Sequence, residues 1–483
     1  MGIDNARDDL LELRLPRDFP PGGQVRRSGA RGQVPEVSGE HPRVVGQLVR
    51  TALLVFSRGL ATVEVMSTRI FAAIAAASIA VFAGERAFGF DASTVDGAET
   101  ASNAFAFDFY LQARRGQGNF VCSPAGAAIA LTMTAAGAHG ETQAEMLHAL
   151  HIEPENLPEN LDKAYASFAA LLTALKERDG KDGLALSVAS RLWIRKDLKF
   201  RPAYVSLLRD VFRTPLPEMD FDNRGEAAVA AINQWASDET HGRVPQILAR
   251  LSGTGTIVLA NVVYMTGAWP QPFEQRATYD AKFNNPPKKT TVKMMKQLGR
   301  FGYARVDGAK LVELPYRGGL SMIVVLPDDS DGLEKIENRL GGHYDEWVGA
   351  LELKKVDLEL PRFTAKTELP LVDLLKAMGI LRAFDRRQAN FSDMANCSVR
   401  EADCQNLYIG DAIQKARIAT NERGTEAAAV TVVKIYRIAV SAGLDPPPPP
   451  PVIFHANHPF MYVVRDVKSG VILFMGRMVK PTK

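Results

Sequence analysis

The chain has 483 residues, 46% of them hydrophobic and 23% charged, with a formal net charge of +3. That composition suits one large globular domain or two to three smaller ones, and not a fibrous chain. The near-neutral balance gives no electrostatic footprint for nucleic acid, and three cysteines without a C-x-x-C pair give no support to a zinc or thioredoxin-type site.

Residues 1–65 are rich in Arg, Pro and Gly and lack sustained periodicity, which reads as disorder or as an upstream extension. Next come Met66-Ser67-Thr68-Arg69 and an apolar stretch from Ile70 to Ala83. At about 14 residues this stretch is short for a membrane span and right for the core of a signal peptide. A basic residue precedes it and small residues close it, so cleavage is expected near Ala83 or a few residues later. Residues 66–90 thus read as signal-peptide-like, with Met66 as the true start. That implies a secreted or periplasmic protein with no membrane in its mature form. The competing reading of the stretch is a buried amphipathic helix. Alanine-rich composition with a short export signal points to a bacterial chain.

From Ala98 onward the pattern is globular. Cys122 lies in the apolar run Asn119-Phe120-Val121-Cys122-Ser123-Pro124 and reads as a buried, inert thiol. Ser123-Pro124 precedes an Ala/Leu-rich helical stretch, Ala125 to Ala136, closed by Gly137. Glu141 to Leu150 reads as a second helix, Leu184 to Ile194 as a strand, and Arg224 to Glu239 as a helix. Thr256 to Met265 is a strand apolar enough to be buried on both faces. Leu311 to Pro315 and Ser321 to Leu326 flank a glycine-containing turn and predict a hairpin. Leu369 to Met378 predicts an amphipathic helix, and Ala456 to Val464 with Val471 to Val479 a terminal strand pair. Helices and strands intersperse without a βαβ repeat, so the fold class is mixed α+β. Cys397 and Cys404 flank a short polar stretch; they pair if the protein is exported, or stay as free thiols.

The segment Glu422-Arg423-Gly424-Thr425-Glu426-Ala427-Ala428-Ala429-Val430-Thr431 has a different character. As a strand it would place Thr425, Ala427, Ala429 and Thr431 on one face, all small and uncharged. Such a segment tolerates solvent as a loop and burial as an inserted strand, which points to a conformational switch. It leads into a variable stretch ending in six prolines, Pro446 to Pro451. As polyproline helix these span about 19 Å, either a stiff spacer or a plain linker.

Catalytic motifs are missing from the sequence: there is no G-x-S-x-G elbow, H-E-x-x-H pair or Walker loop. Gly253-Thr254-Gly255 lacks the third glycine of a dinucleotide fingerprint and reads as a plain loop. Asp328-Asp329-Ser330-Asp331-Gly332 fails the ligand spacing of a calcium loop. His455 and His458 show no metal pairing, and His458 reads as structural. A non-enzyme without cofactor or metal is expected.

Several blocks in one order carry a resemblance. They are Asn119 to Leu150, Ile232-Asn233-Gln234-Trp235, Thr240-His241-Gly242-Arg243 and Leu259 to Trp269. Leu326-Pro327, Pro361-Arg362-Phe363, Leu374 to Ile380, His458-Pro459-Phe460, Arg465-Asp466 and Ile472 to Arg477 follow. With the segment from Glu422 to Thr431, this series resembles the serpins, the serine protease inhibitors, over roughly residues 98–483. The resemblance implies helices packed around three β-sheets, with an exposed reactive loop at 422–452. It implies a monomeric suicide-substrate inhibitor that offers this loop to a serine protease, is cleaved to an acyl-enzyme, and inserts the hinge into its main sheet. Glu422, Gly424, Thr425, Glu426, Ala427, Ala428, Ala429 and Thr431 are the hinge. Family spacing from Glu422 puts the scissile bond at Ile438-Ala439, for an elastase-like or subtilisin-like target; a one-residue difference gives Arg437-Ile438 and a trypsin-like one.

Three positions depart from the family pattern. Gln414 stands where a histidine is usual, Ser190 where an asparagine is usual, and Gly126 where a serine is usual. The resemblance implies a polar cluster of Ser123, Asn233 and residue 414 under the gap through which the loop inserts. Glutamine there keeps hydrogen bonding and cannot acquire charge. The other classes left open are a non-inhibitory serpin acting as a carrier or chaperone-like binder, and glycosaminoglycan binding, for which no dense basic stripe is seen.

Overall fold

The computed structural model describes residues 92–481 apart from 117, 153–158, 197, 222–224, 253–256, 307, 396–406 and 426–448, with backbone alone for 92–98, 159 and 160. The signal-like segment, the hinge from Glu426 onward, both candidate scissile bonds, Cys397, Cys404 and Gly253 to Gly255 lie outside the described residues.

The main helices in chain order are α1 (Ala92–Ala113), α2 (Pro124–Ala135), α3 (Glu141–Ala149), α4 (Glu159–Lys176), α5 (Pro202–Ser206), α6 (Gly225–Glu239), α7 (Leu333–Gly349) and α8 (Leu371–Ala377). Helix α2 starts as its sequence requires. Ser123 caps it, accepting from the Gly126 N–H, and Pro124 sits in the first turn where a missing N–H costs nothing. Every residue of α2 is buried, as befits a helix apolar on all sides. Its polar residues Thr132 and Thr134 turn back onto the Ala128 and Ala130 carbonyls, each at 2.8 Å.

The strands are β1 (Phe120–Cys122), β2 (Ala185–Arg195), β3 (Glu218–Met219), β4 (Ile257–Ala268), β5 (Tyr279–Asn285), β6 (Lys288–Val306), β7 (Ala309–Pro315) and β8 (Leu320–Pro327). There follow β9 (Glu352–Pro361), β10 (Phe363–Pro370), β11 (Ile409–Asn421), β12 (Gly424–Thr425), β13 (Val452–His455), β14 (Phe460–Asp466) and β15 (Ile472–Met478). The expected hairpin is β7–β8 and the expected terminal pair β14–β15, both antiparallel. The predicted helix at Leu369 begins two residues later, because Phe363 to Pro370 first completes β10 beside β11.

The resemblance implies three sheets; among the described residues hydrogen bonding joins the strands into two, one of nine strands and one of six. The reason is β6, whose 19 residues serve both halves of the larger sheet. One part of it pairs with β5, its middle with β9, and its end with β7. The six-stranded sheet runs β10-β11-β12-β4-β2-β3, with β11 also paired to β4.

Two cores lie against the six-stranded sheet. The large one holds α2, which touches β2 and β4 on one side and β15 of the other sheet on its opposite side. The small one sets Ile232, Trp235 and Ala236 of α6 against Trp193, Val258, Ala260, Val262 and Ile413. Trp193 and Trp235 meet edge-on at 4.8 Å. Alternation along β4 and β11 therefore sends Ala260, Val262 and Ile413 toward α6, and Asn261 and Gln414 toward α2. Elsewhere, Glu337 of α7 is fully buried and accepts from Tyr110 at 2.6 Å and Arg114 at 2.8 Å, tying α7 to α1. Burial pushes its carboxyl above the ordinary range, against the pull of the nearby Arg477 and Arg114.

Candidate functional site

Strands β4 and β11 are parallel neighbours, paired from Ile257↔Ile409 to Tyr264↔Arg417 with one register shift between Ile409 and Asp411. Past that point they part. Into the gap comes β12, antiparallel to both: Thr425 lies opposite Thr420 and Gly267, and Gly424 opposite Asn421 and Ala268. The seam between β4 and β11 is thus shut along most of its length and wedged open at one end by two residues.

The wedge has a stringent backbone. Gly424 has φ 140°, and a Cβ there would lie 2.0 Å from the Gly267 carbonyl oxygen. Only glycine meets both conditions. Thr425 is fully buried, and its hydroxyl lies 2.7 Å from the Tyr316 hydroxyl. Tyr316 stacks on Trp269 at 4.3 Å between ring centres. Burial holds the Tyr316 phenol well above its ordinary range, so it stays protonated and available for this bond.

The residues before the wedge are fastened to the chain after β4. Trp269 Nε1 donates to the Asn421 carbonyl at 3.1 Å, the Trp269 N–H to Arg423 at 3.0 Å, and the Phe273 N–H to Glu422 at 2.8 Å. The Glu422 carboxylate accepts from Arg362 Nε at 2.7 Å and from the Thr278 hydroxyl at 2.5 Å. Burial alone would raise this carboxyl; the bonds from Arg362 and Thr278 outweigh it and hold Glu422 below the ordinary glutamate range.

The shut part of the seam carries a buried amide pair. Gln414 Oε1 accepts from the Ser123 N–H at 2.9 Å, and Gln414 Nε2 donates to the Ser123 carbonyl at 2.8 Å and to Asn261 Oδ1 at 2.7 Å. Asn261 Nδ2 donates to the Ala189 carbonyl at 3.1 Å and to Ser190 Oγ at 2.9 Å. The Ser123 hydroxyl donates to the Leu473 carbonyl at 2.7 Å, which links the cap of α2 to the other sheet. Ser123, Asn261 and Gln414 are all fully buried.

A protein-family model for serpins, serine protease inhibitors, matches residues 100–481. The chain is 34% identical over 383 residues to an uncharacterized serpin-like protein of Thermococcus kodakarensis, covering 79% of this chain and 85% of that one. It is 33% identical over 404 residues to the leukocyte elastase inhibitor of Sus scrofa, covering 79% and 98%. The fold superposes on human thyroxine-binding globulin with a TM-score of 0.70 at 26% identity, covering 81% of this chain and all of that one.

The chain belongs to the serpin family.

In this serpin the structure brings Ser123 and Gln414 together as the resemblance implies, and places Asn233 elsewhere. The expected grouping of Asn233 with them is corrected. Asn233 Oδ1 accepts from the Ile247 and Leu248 N–H groups at 2.8 and 3.0 Å, and its Nδ2 donates to the Leu248 carbonyl at 2.8 Å. It secures the segment after α6, and α6 packs on the sheet face opposite to Gln414. The asparagine of the cluster is Asn261. It stands inside the strand block Leu259 to Trp269, where the alternation that marked the strand as buried gave no sign of its partner.

Arg362, Thr278 and Tyr316 also escaped the sequence reading. Arg362 sits in the block Pro361-Arg362-Phe363, yet its partner Glu422 lies 60 residues away. His458 is structural as expected: its Nε2 lies 2.8 Å from the Pro327 carbonyl. Cys122 is a buried free thiol, pushed well above its ordinary range by burial.

Proposed function

We propose that this serpin is a serine-endopeptidase inhibitor that acts as a suicide substrate. The protease serine attacks the carbonyl of the scissile residue, Ile438 in the preferred reading and Arg437 in the alternative. The Ala439 or Ile438 amine leaves with a proton, and an ester joins the cleaved loop to the enzyme. The hinge then extends β12 between β4 and β11, as serpin strand insertion requires. The extra strand pairs on both sides, and this better-paired sheet drives the change.

One observation carries the reading: Gly424-Thr425 already lies between β4 and β11 as the first two residues of such a strand. Thr425 points into the core without charge or bulk. The likeness to leukocyte elastase inhibitors supports an elastase-like target and agrees with Ile438. Export through residues 66–90 and action as a monomer complete the proposal. Mass spectrometry of the native N-terminus tests export, and residues 1–60 intact on a cytosolic chain would refute it.

The direct test incubates the protein with elastase, subtilisin and trypsin and analyses the products on denaturing gels and by mass spectrometry. A denaturation-resistant complex with a released carboxy-terminal peptide is the expected result. Clean cleavage by every protease without complex would instead favour a non-inhibitory carrier. That second reading rests on the likeness to thyroxine-binding globulin, whose solved structure holds thyroxine.

A further inference from the structure

The end of α1, the start of α7 and the end of β15 border an open cleft of about 600 Å³, lined among others by Leu111, Gln112, Arg114, Arg115, Asn338 and Arg477. None of its lining residues belongs to β4, β11 or β12. Three guanidinium groups converge there from two ends of the chain. Arg114 is engaged: Nη1 donates to Glu337 at 2.8 Å and Nη2 to Asn338 Oδ1. The other two are open. The Arg477 side chain is only 16% exposed, its Nε lies 3.4 Å from Glu337, and it makes no hydrogen bond among the described residues. Arg115 is exposed, and its side chain has no polar partner among the described residues.

The buried polar atoms point to the same place. Arg114 Nε, Arg477 Nε and Gln112 Oε1 are each buried without a hydrogen-bond partner within the described protein. Buried polar groups are normally paired, at a cost of about 1–3 kcal/mol when they are not, so three around one cleft mark where a ligand would complete them. The charge agrees. Arg114 and Glu337 compensate each other, and Glu334 offsets one of the two remaining guanidinium groups, which leaves an excess of positive charge. We propose that this cleft binds a small organic anion, with its phosphate or carboxylate on Arg477 and Arg115 and a hydroxyl or amine donating to Gln112 Oε1. A planar guanidinium meets two oxygens of either group side by side. Leu111 offers an apolar wall to the carbon skeleton, and the volume falls in the range of small-molecule sites, roughly 300–1,000 Å³. Strand β15 pairs with β1 on one side and β14 on the other, so Arg477 is presented by the sheet and not by a loop. The site does not depend on the inhibitory reading.

The test titrates glycerol 3-phosphate, malate and glycerol into the full chain by calorimetry and follows the thermal midpoint with each. Glycerol 3-phosphate or malate should bind and raise the midpoint, and which of them does so separates a phosphate ligand from a carboxylate one. Glycerol, which lacks the anion, should do neither. Arg477→Gln should weaken binding at least about tenfold. Should that variant fail to fold, Arg115→Gln decides the matter. Its side chain is exposed and unpaired among the described residues, so the midpoint without ligand should match wild type while affinity falls about threefold. Absence of binding by both anions at about 10 mM, or the same affinity in wild type and Arg115→Gln, would overturn the site. Equal binding of glycerol would overturn it as well, since the anion would then play no part.

Discussion

Gln414 and Asn261 face each other in register on β11 and β4, and the Gln414 amide donates to the Asn261 carbonyl oxygen at 2.7 Å across the seam. The bond joins residues 153 apart in sequence, on two strands that loop insertion would have to part. The same amide satisfies both backbone groups of Ser123 at the start of α2.

Gln414→Ala should therefore destabilise the folded protein. It strands the Ser123 N–H and the Asn261 oxygen in a buried site, while the Ser123 carbonyl keeps its bond from the Ala127 N–H, and each unpaired group costs about 1–3 kcal/mol. Relaxation will recover part of that, leaving a loss of about 2–4 kcal/mol. Denaturant unfolding measures it, and a midpoint equal to wild type would contradict the assignment.

Thr425→Arg should convert an inhibitor into a substrate. Thr425 is fully buried between β4 and β11, and an unpaired guanidinium there would be strongly disfavoured. The ratio of complex to cleaved product on a denaturing gel should fall at least about tenfold. Undiminished complex formation would show that Thr425 does not lead insertion.

Gly424→Ala should expel the wedge. The φ of 140° and the 2.0 Å approach to the Gly267 carbonyl leave no room for a methyl group. Loss of the Thr425 bond to Tyr316 should then change the fluorescence of Trp269, which stacks on that ring. Spectra identical to wild type would argue that the wedge survives.

The Glu422–Arg362 pair predicts an acid-labile contact before β12. The folded state holds Glu422 below its ordinary value. Its contribution is therefore complete above the ordinary glutamate range and is lost as pH falls through that range to the lower folded value. Glu422→Gln should flatten stability against pH between about pH 5 and pH 3. Half of the Arg362 side chain is near solvent, at 42% exposure, so added salt should weaken the effect. A mutant with the wild-type acid slope would remove Glu422 from this role.

Much of the molecule was legible from local chemistry. Ser123-Pro124 announced the start of α2, the apolar run through Val262 announced a strand buried on both faces, and Gly424 announced a bend that glycine permits. These are rules of one or two turns of chain, and the ordered series of blocks was enough to place the chain among serpins. The sequence by itself could not tell which asparagine meets Gln414. Asn233 and Asn261 are the same residue type, each preceded by an apolar residue, and the packing of α6 on one face and α2 on the other is what separates them. Nor could it pair Arg362 with Glu422 or reveal that Asn261 fills the space beside Gly126. Alternation along a strand is local and can be read from the chain. Register between strands distant in sequence is set by how the whole core closes, and that decided the Gln414–Asn261 pair, the Arg362–Glu422 pair and how far Gly424-Thr425 enters the sheet.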